Sequence, residues 1–169
     1  MTRSSQLGAA LFLVLAVAAC GSGDGPTGPS YPTVTGTYNG NWSMELEVQS
    51  TGASARALCP GSITISSENQ GQISGSYIMQ AAGDCDSSDS GNVSGTVRTD
   101  GGVSLGLSSP GGNPNEFGDL TGCTVTSGDS QMTGTITQGR LDVDASFFAD
   151  CPDSSGQYYS IRVTLGFSG

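Results

Sequence analysis

From Val34 onward, apolar and polar residues alternate with a period of two over most of the chain. Val34, Tyr38, Trp42, Met44, Leu46 and Val48 share one parity with Gly36 and Gly40, while Glu45 and Glu47 take the other. One apolar face and one wet face make a half-buried strand. Ile63 and Ile65 alternate with Ser and Thr in the same way, and Ile73, Gly75, Tyr77 and Met79 follow. Then come Val93, Gly95 and Val97; Val103, Leu105 and Leu107; Met132, Gly134 and Ile136; Leu141, Val143, Ala145 and Phe147; and Tyr159, Ile161, Val163, Leu165 and Phe167. Turns rich in Gly, Asn or Asp separate these runs, and no segment after residue 32 carries a 3.6-residue period. The pattern predicts an all-β fold, an antiparallel up-and-down meander of about eight strands that forms a closed or nearly closed barrel. Residues 121–137 read as one long bent strand or two short ones. A barrel further requires the first strand, near Tyr38–Val48, to pair with the last, near Tyr159–Phe167.

Two internal echoes refine this picture. Gln72-Ile-Ser-Gly-Ser-Tyr77, Asn92-Val-Ser-Gly-Thr-Val97 and Gln131-Met-Thr-Gly-Thr-Ile136 each set a Gly on the apolar face between larger side chains. Gly at such a position lets a sheet coil sharply or lets a facing side chain cross close to the backbone. The second echo is built on cysteine. Cys59 precedes a hairpin with its turn near Glu68–Gly71, and Cys85 follows the return strand. Cys123 and Cys151 bracket a hairpin with its turn near Gln138–Gly139. Four Cys allow three pairings. Each hairpin brings its own two Cys toward cross-strand distance, so Cys59–Cys85 and Cys123–Cys151 are the expected bridges, with a bulge in 126–129 adjusting the longer unit. Spacings of 26, 38 and 28 residues contain no C-x₂₋₄-C pair, and the chain has no His, so zinc is not expected.

The N-terminus has a different pattern. Arg3 precedes an apolar run from Leu7 to Ala19, and Val17-Ala18-Ala19-Cys20 resembles a bacterial lipobox. The run is shorter than the roughly 20 apolar residues that span a bilayer. The resemblance implies that residues 1–19 are a signal peptide, that Cys20 carries diacylglycerol on sulfur, and that a further acyl chain such as palmitate is usually added to its amine. Two or three chains anchor stably where one does not, at about 0.8 kcal/mol per buried CH₂. Gly21, in place of the Asp that retains many such proteins at the inner membrane, points to the outer membrane, facing the periplasm or the surface. Residues 20–32 then read as the lipidated Cys and a Gly/Ser/Pro linker, and residues 33–169 as the barrel domain.

Removing residues 1–19 from 169 leaves 150, enough for one modest core. Four Arg then face 15 acidic residues, a net charge of −11, with no Lys. This balance disfavours nucleic acid and flat contact with anionic lipid. Without His or Lys, and with the thiols paired, Ser-His and Cys-His nucleophiles are excluded. Asp142 with Asp144, and Glu45 with Glu47, lie on the wet parity and read as a charged outer face. Asp84, Asp86 and Asp89, with Ser87, Ser88 and Asn92, make an oxygen-rich loop and a weak calcium candidate without the EF-hand spacing. No other cofactor is implied.

Gly36-Thr-Tyr38-Asn-Gly40-Asn-Trp42 ahead of a Gly-rich meander resembles the small lipocalin-like (calycin) barrels of envelope lipoproteins, whose signature is a Gly-x-Trp near the first strand. Members of that group bind small apolar ligands, inhibit proteases or have no known role, and no catalytic residue carries over. Tyr38, Trp42, Tyr77, Phe147 and Tyr159 are the candidate lining of a ligand cavity, although in narrow barrels such side chains fill the interior. The last strand also looks somewhat like the end of a transmembrane barrel, but several strands are too short to span and aromatic girdles are missing. The expectation is a non-enzymatic, lipid-anchored envelope protein that binds a small apolar ligand or another envelope protein. The alternative is a structural or interaction lipoprotein with a filled core, protease-inhibitor-like barrels included.

Overall fold

The computed structural model of the protein describes residues 28–86, 88–108, 122–128, 131–137 and 139–169. The lipobox, Cys20, Ser87 and Gln138 lie outside these residues. Nine strands are present among the described residues: β1 (Gly36–Val48), β2 (Ser54–Asn69), β3 (Gln72–Met79), β4 (Asp89–Val97), β5 (Gly102–Ser108), β6 (Thr124–Gly128), β7 (Met132–Thr137), β8 (Arg140–Pro152) and β9 (Tyr158–Ser168). Every pairing is antiparallel, and the strands follow one another as in a meander, except that β5 pairs with β7 past β6, β6 pairs with β8 alone, and β1 meets β9. Asn41–Val48 of β1 pairs with Ile161–Ser168 of β9, which closes the barrel. Nine strands fill eight positions because β6 and β7 lie end to end along one edge of β8. β6 covers Phe147–Asp150 and β7 covers Arg140–Asp144. The ambiguous stretch is therefore two short strands in line. The register of β6 slips between Val125 and Ser127, at the start of the 126–129 stretch offered for a bulge. The architecture is a small eight-position antiparallel barrel, compatible with a lipocalin-like one.

The alternation seen in the sequence becomes inside and outside. Trp42, Ile63, Tyr77, Val93, Leu105, Met132, Leu141, Phe147, Leu165 and their neighbours fill the interior, and no buried polar or charged side chain occurs among the described residues. Outward positions carry Thr37, Asn39, Ser74, Ser94, Thr133 and Asp144. This arrangement is the inverse of a membrane-spanning barrel, which needs an apolar outer band.

The repeated glycines set the curvature. A Cβ at Gly75 would collide with the Thr64 carbonyl of the neighbouring strand, at Gly95 with that of Ser104, at Gly134 with that of Asp142, and at Gly40 with that of Ser168. Neighbouring backbones approach the inner face this closely only because the side chain is missing, which is how small barrels turn their corners.

The two ends of the barrel differ. At one end the β2–β3 turn is a two-residue loop in which Gln70 (φ 52°) and Gly71 (φ 82°) are both left-handed. The chain arrives at this same end. The Tyr31 ring lies over Gly71, Val34 is fully buried, and its carbonyl accepts the Tyr38 hydroxyl at 2.7 Å. Tyr31, within the stretch that composition assigns to the linker, thus helps close the barrel. Both disulfides lie toward the opposite end. Cys59–Cys85 and Cys123–Cys151 form as expected, with Cα atoms 5.6 and 4.1 Å apart.

Candidate ligand site at the open end of the barrel

Two hairpins overreach the rest of the wall. β1 and β2 pair out to Glu47 and Ser54, and β8 and β9 pair out to Pro152 and Tyr158, whereas β3, β4 and β5 have 8, 9 and 7 residues. The inner face of this tall section bounds a cleft of about 320 Å³. Leu46, Val48, Ala55 and Ile161 line it, with Tyr159 at its edge and the Cys123–Cys151 bridge along one side. The volume is at the small end of the range for ligand sites, and an apolar lining with a few polar groups is their usual composition. The polar groups here are the Ser54 and Tyr159 side chains, and no charged residue lines the cleft. The cleft therefore presents an apolar, uncharged surface with two hydroxyl groups.

The hairpins are held by ordinary forces. Leu46 faces Ala55 on β2 and Val163 on β9, while Val48 faces Ile161. On the outside, Arg162 bridges to Glu47 across the β1–β9 seam. A larger cleft of about 510 Å³ at the other end is lined by Gly28, Pro29, Tyr31, Glu68 and Gln70. It is a surface gap between the arriving chain and the β2–β3 turn.

Of the five aromatic candidates, Tyr159 is 38% exposed and lines the open-end cleft. The other four are in the core. Trp42 meets Tyr77 edge-on with ring centroids 5.6 Å apart and packs on Phe167 at 4.9 Å. Its indole N–H crosses over Gly61 to donate to the Ile78 carbonyl at 3.0 Å. Tyr77 lies over Gly91 and donates to Asp89 at 2.8 Å. Burial, then the Asp89 hydrogen bond and charge, push the Tyr77 hydroxyl well above the usual phenol range, and burial raises that of Tyr38. Phe147 is fully packed.

Among the described residues, two carboxylates of the oxygen-rich loop are engaged within the fold. Asp84 accepts the Leu58 amide at 3.0 Å, while Asp89 accepts the Tyr77 hydroxyl and the Ser90 amide. Among the described residues no three metal-binding side chains gather. The paired carboxylates face outward as expected. Arg140 donates to Asp142 at 2.6 Å, as does Ser168, and these contacts hold the Asp142 carboxyl below the usual carboxylate range.

Sequence reasoning missed the aliphatic members of the cleft because Leu46, Val48 and Ile161 alternate like core residues. A signal was nonetheless present. On the inward parity of β2, Ile63 and Ile65 give way to Ala55 and Ala57. Small inward side chains in an extended hairpin leave space opposite them.

No known protein-family model matches the chain, and no match to a curated protein is found.

Proposed function

We propose that the protein is a lipid-anchored, non-catalytic binding module of the bacterial cell envelope, and that it takes a small apolar ligand in the open-end cleft. The observation that carries this reading is the cleft itself, apolar and uncharged, framed by two hairpins and a disulfide. The central interior is packed by Trp42, Tyr77 and Phe147, so the ligand sits in the mouth and not at the centre of the barrel. The lipobox and Gly21 support attachment at the outer membrane through Cys20. Titration with N-phenyl-1-naphthylamine tests the site. Wild type should enhance the probe's emission, and Ala55→Trp, which fills the cleft from an exposed position, should abolish the effect. Wild-type protein that does not bind, or an Ala55→Trp protein that binds equally well, sinks the reading. For the anchor, Cys20→Ser should lose lipid label and leave the membrane fraction, while wild type without label would end the lipoprotein assignment.

A second reading has its own observation. Leu58 and Ile78, on the outer faces of β2 and β3, are 42% and 48% exposed beside a filled core. That combination favours an envelope-protein partner on the barrel wall. Leu58→Ser with Ile78→Ser should abolish crosslinking to such a partner and leave probe binding intact.

A further inference from the structure

Resting on the lipid-anchor reading, we infer that the open-end cleft faces away from the bilayer that holds Cys20, so its ligand arrives from the aqueous side and not from lipid of that same membrane. The described chain enters the barrel at the closed end, where Tyr31 lies over Gly71 and Val34 is buried. The cleft, the Cys123–Cys151 bridge and the β8–β9 hairpin are at the other end. β1 has 13 residues, about 44 Å along the strand. At the tilt of a small barrel, about 40°, that is about 34 Å of height.

Cys20 lies eleven positions before Tyr31. Eleven steps of any chain span at most about 38 Å when fully stretched, against about 18 Å for a Gly/Ser-rich random coil of that length. Turning the mouth onto the membrane therefore requires the tether to run nearly straight along the whole barrel wall. Placing the closed end near the membrane requires no stretching. Charge points the same way. The cleft has no cationic side chain to meet a lipid phosphate, and the chain beyond residue 19 carries a net −11.

The test uses the full acylated protein in phosphatidylcholine vesicles that carry an acceptor dye on the headgroups. A donor fluorophore is introduced as a non-canonical amino acid at Gln70, on the closed end, or at Ser155, in the β8–β9 turn. Energy transfer from Gln70 should clearly exceed that from Ser155, and the Cys20→Ser form should show none from either position. Equal or reversed transfer from protein that floats with the vesicles overturns the orientation and leaves the anchor standing. Protein that does not float overturns the anchor, and the orientation with it. Transfer of a pyrene-labelled phospholipid out of the vesicles into anchored wild type, but not into Ala55→Trp, also overturns the inference.

Discussion

A carbonyl oxygen occupies the space that a side chain would need at Gly40, Gly75, Gly95 and Gly134. Gly134→Ala must therefore push β7 off β8 or flatten the corner, and overpacking of this kind costs about 1–3 kcal/mol. Urea unfolding should show that loss, whereas Gly106→Ala, where the nearest atom to a Cβ is 3.7 Å away, should be much milder. Trp42→Ala removes the largest side chain of the core and should cost about 3–5 kcal/mol. Tyr77 gives a pH prediction. Its folded-state value is raised, so the stability from its neutral form is complete below the unfolded phenol value of about 10 and is lost as pH rises above it. Alkaline titration followed by ultraviolet absorbance should show Tyr77 ionising together with unfolding, and Tyr77→Phe should hold its fold to higher pH than a simple phenolate count predicts. At this scale the sequence was half legible. The repeated Ser/Thr-Gly-Ser/Thr motif announced the sharp coiling. The same alternation could not separate aromatics that fill a barrel from aromatics that line one, because both point inward.

At the scale of elements, the cysteine repeat was the clearest signal. A meander brings the ends of each hairpin together, so chain order alone selected the pairing. The Cys123–Cys151 loop has a sequence separation of 28, and replacing both Cys by Ser should cost about 2–5 kcal/mol. It should also weaken probe binding, because the bridge lines the cleft. Unreduced peptide mapping checks the pairing, and a Cys59–Cys123 peptide would contradict it. Strand lengths were less legible. β2 runs from Ser54, well before Ile63, because its early inward positions are Ala, whose small side chains give almost no periodic signal. The β8–β9 pair has a pH signature of its own. Arg140 on β8 and Ser168 on β9 both donate to Asp142. The Asp142 value is lowered in the folded state, so its contribution is present above the unfolded carboxylate value and is lost as pH falls through the folded one. Asp142→Asn should flatten the acid limb of a stability-versus-pH curve, by a small amount because the site is exposed.

The whole molecule was legible as a barrel, but the cleft at its open end was not. Period two, Gly corners and hairpin cysteines each follow from backbone geometry, and backbone geometry is what a single sequence encodes most directly. The mouth depends on which hairpins overreach, a long-range property that no local pattern states. Closure has a further consequence, for the order in which the chain folds. Each disulfide spans fewer than thirty residues, but Asn41 finds Ser168 only across 127 positions. Contacts that distant form late, and β-rich domains of this kind fold in milliseconds to seconds. During that interval the free sides of β1 and β9 are long, unpaired templates for another chain. Oxidised protein refolded at high concentration should therefore form dimers and larger species, visible by light scattering, that the native barrel does not form, and a chain cut before Tyr158 should form them permanently. The pairing that seals the finished seam leaves every unfinished copy with two edges to share.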